Sequence, residues 1–193
     1  MKNTASMSKE EIVADSMKLR TMLLKCDRLR IPTLCFVKGG CIGGGVGLCS
    51  TSKNVVATPS SWFLFSETRL GIIPAVVSPF VLNRIGAIRT RRTMMIPERI
   101  GATDALRIGL VDRIVEDEAA MEAYEKEWRK CVKAAAPQAV GLVSDLIDAM
   151  SENQSSEKQG EISVNMLCER RQSEEGKEGM GCFFSKTKPS WVL

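Results

Sequence analysis

The chain has 193 residues, 44% of them hydrophobic and 26% charged, and a formal net charge of +4, a balance that fits a soluble globular protein with one domain-sized core and room for a helical appendage. Its seven cysteines are odd in number and lack a C-x-x-C spacing, and there is no histidine; zinc sites and secreted disulfide scaffolds are disfavoured, and Ser-His or Cys-His catalysis within one chain is excluded. Carboxylate and lysine chemistry remain.

Aromatic residues make up 5%, so the core must rest on aliphatic side chains and methionine. Lys38 interrupts the longest apolar run, which falls short of the roughly 20 residues of a membrane helix. The N-terminal stretch MKNTASMSKEE has no apolar segment of the signal-peptide kind.

In chain order, Ser8 and Glu11 have the S-x-x-E form of a capping box, and Ile12, Leu19, Met22, Leu23 and Cys26 share one helical face, which predicts a helix over 9–29 that Pro32 stops. Thr33 to Val37 is apolar throughout, as in a strand buried on both sides. A glycine-rich turn and a short helix follow, and then two strands, Asn54 to Ala57 and Trp62 to Phe65. Ser78-Pro79 predicts a helix start with Ser78 as N-cap, Gly86 its end, and Ile88 to Met95 a second helix before Pro97. Thr103 caps a short helix over 104–108, closed by Gly109, and Leu110 to Val115 is the last strand expected.

From there the pattern is helical: 119–135 with Met121, Tyr124, Trp128 and Val132 inward, 137–150 opened by Pro137, and a helix carrying Ile162, Met166 and Cys168. Residues 151–160 are polar and predict a loop or a loose helix start. The stretch from Arg170 to Trp191 predicts one final helix with Phe183 and Phe184 as apolar anchors. Arg89, Arg91 and Arg92 form a basic knot without interleaved aromatics, so a solvated helix face is expected there ahead of RNA or a phosphorylated ligand.

Chemistry concentrates between Ile31 and Pro74. Glycines at 39, 40, 43, 44, 45 and 47 lie between a strand and a helix, where backbone N–H groups and the positive end of the helix dipole suit a negative oxygen. If that oxygen gains its charge only during reaction, the same groups form an oxyanion hole. Glu67 follows the next strand, between Phe65 and Leu70, and is the carboxylate available to move a proton. By pattern alone, the glycines serve equally as a tight turn for close packing, and Glu67 reads better as a solvated strand-end carboxylate.

Several motifs in order bear on that choice: I-P-x-x-x-x-V-x-G from Ile31, GGG at 43–45, F-S-E-x-x-L-G-I-I-P from Phe65, A-L-R-I-G-L-V from Ala105 and F-x-K-x-K-P-x-W from Phe184. Together they resemble the enoyl-CoA hydratase/isomerase, or crotonase, superfamily over nearly the whole chain. VGL at 46–48, AVVSPF at 75–80, and SEEGKEG at 173–179 followed by KPSW resemble its methylglutaconyl-CoA hydratase branch. The resemblance implies an α/β spiral of strand-strand-helix units over 1–115, with a helical trimerisation region over 116–193. It implies Gly44 as an oxyanion N–H and Glu67 as the catalytic acid/base. Cys41, Ile42, Gly43, Ser66, Gly71 and Ile72 would line the acyl pocket, and Lys186 would contact a CoA phosphate.

CoA enters as part of an α,β-unsaturated thioester substrate, with no metal or further cofactor implied. The implied assembly is a homotrimer or dimer of trimers, and the implied compartment is mitochondrial, with the cytoplasm as the alternative. Gly47 stands where paired-glutamate hydratases have their first glutamate, and Lys53 where relatives have an aspartate. The family's A/S-G-x-D-L loop, source of the other oxyanion N–H, precedes the helix at 9–29, so the pattern here is expected to be an N-terminally truncated one. A non-catalytic paralogue that oligomerises with full-length subunits, and an isomerase, are the competing expectations.

Overall fold

The computed structural model describes residues 6–152 and 155–192. Two compact units divide the chain: residues up to Leu29 with Thr33–Glu122, and Arg30–Pro32 with the residues from Ala123 onward. The boundary between them falls inside the helix Glu118–Ala134.

In the first unit, α1 (Lys9–Asp27) starts at the predicted capping box: Glu11 N–H donates to Ser8 Oγ, and Ser8 N–H to the Glu11 carboxylate. Its expected apolar face is not covered, for only Leu23 is buried while Ile12, Leu19 and Met22 are exposed. Two strand-strand-helix units follow. The first comprises β1 (Leu34–Val37), β2 (Gly40–Ile42) and α2 (Gly44–Ser50), and the second β3 (Asn54–Ala57), β4 (Trp62–Leu64), a 3-10 turn (Glu67–Leu70) and α3 (Ser78–Met95). A third and irregular unit contains β5 (Ile100–Gly101), α4 (Ala102–Arg107) and β6 (Arg113–Ile114).

The strands form two small sheets. β1, β3 and β6 run parallel in that order, with Leu34 opposite Asn54 and Val37 opposite Ala57. In the other sheet β4 is central, parallel to β2 and antiparallel to β5. Each strand pair turns a corner from the first sheet into the second, β1 into β2 and β3 into β4. Buried hydroxyls stitch the corners: Ser61 Oγ donates to Val37 O at 2.8 Å and lies 3.0 Å from Thr58 Oγ1, so the Val37 carbonyl is satisfied where the ladder breaks. β1 is an edge strand with Phe36 exposed, rather than one buried on both sides.

Between the sheets and helices lies a largely aliphatic core that includes Leu23, Val46, Val55, Phe63, Phe65, Val81, Leu110 and Val111; each fully buried large side chain contributes about 1.5–3 kcal/mol over exposure. α3 is interrupted as expected at Gly86, whose φ of 76° leaves the helical region, and it starts one residue earlier than predicted, with Val77 at the N-cap.

The second unit holds most of α5 (Glu118–Ala134, which begins in the first unit), then α6 (Pro137–Glu152), α7 (Ser156–Gln172) and α8 (Glu174–Ser185). The expected polar loop at 151–160 shrinks, because α6 extends to Glu152 and α7 starts at Ser156; residues 153 and 154 lie outside the described residues. The single final helix is broken at Ser173, which ends α7 and whose hydroxyl accepts from Gly176 N–H to cap α8. Phe183 and Phe184 are not anchors. They pack edge-to-face on each other and are 78% and 80% exposed.

Candidate active site

The glycine run folds as a corner, a three-residue strand and a helix start. Gly43 is the N-cap of α2 with φ 52°, its N–H donating to Leu64 O at 2.9 Å. That backbone conformation disfavours any side chain. A second constraint is spatial: a Cβ on Gly43 would lie 2.8 Å from Glu67 Oε1. The carboxylate therefore occupies the place a side chain would take. Gly44 is the first residue of α2, exposed, and its N–H has no carbonyl to receive it within the helix.

Glu67 stands on the 3-10 turn just after β4, not on the strand itself. The turn is closed by Gly71 at φ 71° and by Ile72 N–H donating to Glu67 O at 3.1 Å. Glu67 Oε2 is buried without a hydrogen-bond partner among the described residues. Leaving such an oxygen unpaired costs about 1–3 kcal/mol, so it is an acceptor open to a water or a ligand donor.

The cavity it faces is about 470 Å³ and lined by Ile42, Gly43, Gly44, Ser66, Glu67 and Ile72 of the sequence-predicted set, and by Leu70 and the run Ile73–Val77. Ser16 and Leu19 of α1 complete the lining; no local pattern could have found them, since they reach the cavity through the tertiary fold. Cys41 and Gly71 are not among the lining residues. Cys41 Sγ instead lies 3.5 Å from Cys49 Sγ, and Cys35 Sγ is 3.7 Å from Cys49 Sγ on its other side. Lys186 belongs to the helical unit, exposed at the C-cap of α8 with φ 58°. Two further cavities of about 420 and 370 Å³ lie in that unit and contain none of the predicted site residues.

Two positions that depart from the family pattern have local explanations. Gly47 is buried, and a Cβ there would fall 2.4 Å from Val77 Cγ1, so a second glutamate has no room beside α2. Lys53 Nζ donates to Asp27 O at 2.7 Å, a cation placed on the last carbonyl of α1, where the helix dipole favours it. The basic knot is partly engaged: Arg92 pairs with Glu98, and Arg89 donates to Ile108 O. No helix among the described residues is long and apolar enough to cross a membrane.

Comparison with known proteins identifies the family and the fold. The family model described as enoyl-CoA hydratase/isomerase matches residues 2–192. An enoyl-CoA hydratase of Alternaria alternata is 34% identical over 55% of this chain and 36% of its own length. A mitochondrial methylglutaconyl-CoA hydratase of Pyricularia oryzae is 27% identical over 98% and 58%. The chain thus spans between about a third and three-fifths of the length of these relatives. A crystal structure of an enoyl-CoA hydratase from Shewanella pealeana, 30% identical, superposes with a TM-score of 0.92 over 97% of this chain and 70% of that one. The mixed α/β architecture of small sheets and eight helices among the described residues is the crotonase-like fold expected from the sequence, and the chain belongs to the enoyl-CoA hydratase/isomerase family.

Proposed function

We propose that the chain carries the acid–base part of a site that hydrates an α,β-unsaturated acyl-CoA of the methylglutaconyl-CoA type. The observation that carries this reading is the unpartnered, buried Glu67 Oε2 at a cavity shared with the first peptide of α2. With the thioester oxygen at the Gly44 N–H, conjugate addition places negative charge where that donor can receive it; one such donor is worth about 3–4 kcal/mol in the transition state. Glu67 takes a proton from water as the oxygen bonds to Cβ, then returns it to Cα as the enolate collapses. The net change is addition of H and OH across the double bond, and Glu67 ends as it began. One carboxylate suffices for both transfers, consistent with a Gly47 that Val77 crowds.

The apolar residues Ile42, Leu70, Ile72 and Ile73 suit the acyl part, and CoA is part of the substrate, with no separate cofactor proposed. Lys186 is assigned to a CoA phosphate of a neighbouring subunit in a homotrimer or dimer of trimers. A mitochondrial setting is proposed from the resemblance, in line with the Pyricularia relative's name.

The mass of the product tests the reaction class. Incubating the purified chain with an unsaturated acyl-CoA should yield a thioester heavier by one water. An unchanged mass with a moved double bond would replace hydration by isomerisation. A second reading, in which the chain is a non-catalytic subunit that associates with longer homologues, is favoured by the exposed Ile12, Val13, Met17 and Met22 of α1. It requires no turnover, together with co-purification of a longer family member.

A further inference from the structure

Cysteines 35, 41 and 49 are far enough apart in sequence to pass as unrelated core thiols, yet the corner from β1 to β2 and the return of α2 bring them into one cluster. Cys49 is central and buried; Cys35 on β1 and Cys41 on β2 are half-buried on either side, with sulfur separations of 3.7 and 3.5 Å. Among the described residues no group of three His, Cys, Asp or Glu is arranged to hold a metal ion. What the arrangement does offer is two sulfurs about 1.5 Å beyond the ~2.05 Å of a disulfide bond, at the base of the α2 turn.

We propose that Cys41 and Cys49 are an oxidisable pair that a hydroperoxide converts to an intramolecular disulfide. The Cys41 thiolate attacks the peroxide oxygen, the O–O bond breaks, and Cys41 sulfenic acid and hydroxide form. Cys49 sulfur then attacks the Cys41 sulfur, the S–O bond breaks, and the hydroxide leaves with the Cys49 proton as water. In sum two thiols and one hydrogen peroxide give one disulfide and two waters; sulfur is oxidised and peroxide oxygen reduced.

Direction follows from the hydrogen bonds. The bond from Cys49 is the main cause holding the Cys41 thiol below its ordinary value, against opposing burial and the charge of Cys35. The bond from Cys35 pulls Cys49 down, but its own bond to Cys41 and burial outweigh this and push it up to about 12. The bond to Cys49, with burial, pushes Cys35 well above the thiol range. Cys41 is thus the thiolate-forming member, and Cys49, with its sulfur 3.5 Å away, is the resolving one.

The disulfide would join β2 to α2 on opposite sides of Gly43. The first turn of α2 is tight at this place, for a Cβ on Gly45 would lie 3.3 Å from Cys41 Sγ, so closing the bond draws on the segment that carries Gly43 and Gly44.

Tryptic cleavage tests the pairing directly, without reference to the reaction proposed above. Lys38 and Lys53 bracket Cys41 and Cys49 in one peptide, 39–53, and Arg30 and Lys38 bracket Cys35 in another, 31–38. The full chain is exposed to hydrogen peroxide, alkylated and digested without reduction. Peptide 39–53 should be lighter by two hydrogens and carry no alkyl group, while 31–38 carries one; prior dithiothreitol should restore both alkylation sites. In Cys49→Ala and Cys49→Ser chains the loss of two hydrogens from 39–53 should not occur. Peptides 31–38 and 39–53 found joined, or both thiols of 39–53 alkylated once exposed Cys131 and Cys168 have been oxidised, would overturn the proposal.

Discussion

Gly43 and Glu67 are separated by two strands and meet in space with less than a van der Waals contact to spare for a side chain. Gly43→Ala must adopt a φ of 52° and displace Glu67; the expected loss is about 1–2 kcal/mol of stability for the left-handed backbone alone, read from a urea transition, with a larger fractional loss of activity than of stability. Gly47→Glu, which would restore a second carboxylate on paper, forces a side chain into Val77 and is expected to destabilise by about 3 kcal/mol or more. Cys49 provides a pH prediction. Its folded value lies above the ordinary thiol value of 9.0, at about 12. The linked stability is fully present below pH 9 and declines as pH rises from there towards 12. In Cys49→Ala this contribution is absent, so the decline with pH should be shallower. At this scale the sequence revealed the glycines and the glutamate but not why they belong together, because spacing along the chain does not encode that Glu67 fills the Cβ position of Gly43.

Element by element, local chemistry was readable wherever it was self-contained. Ser8 and Glu11 cap α1 within four residues of chain, Gly86 breaks α3, and Pro137 opens α6. β2 and β5, with three and two residues, have no period to detect and exist through pairing with β4. Phe183 and Phe184 failed as anchors for a related reason: periodicity marks an apolar face but not what covers it.

The contact that binds the irregular third unit was also invisible in sequence. Arg84 of α3 donates to Leu110 O, Ser52 O and Asp112 Oδ2, and Asp112 Oδ2 in turn accepts from Val55 N–H at 2.6 Å. The arginine side chain is only 11% exposed. Arg84→Met removes the donor to Leu110 O and Ser52 O and leaves Asp112 with Val55 N–H but without its cation, which should cost about 3 kcal/mol, seen as a lower urea midpoint with unchanged slope.

At the scale of the whole molecule, the helical unit has one fully buried residue among those described, Gly141. Val143, Ile147, Val164, Leu167, Phe183 and Phe184 are exposed. A set of helices with so little covered apolar surface gains little from the hydrophobic effect by itself, which is the physical ground for expecting an assembly. Sedimentation should give a species larger than one chain, and Phe183→Asp with Phe184→Asp should shift it towards the monomer without loss of α/β secondary structure. The fold class was legible because five motifs kept their order; which helix faces stay uncovered in a single chain was not, because an exposed apolar face looks in sequence like a core.

Under the proposed function Glu67 moves the proton in an enolate reaction of an unsaturated acyl-CoA. This is read from the loss of the conjugated thioester's ultraviolet absorbance with the wild-type chain and with Glu67→Gln, at equal substrate binding. A decrease of about 10²–10⁴-fold in kcat for the variant, with KM little changed, is the predicted result. Equal rates for the two chains would contradict it.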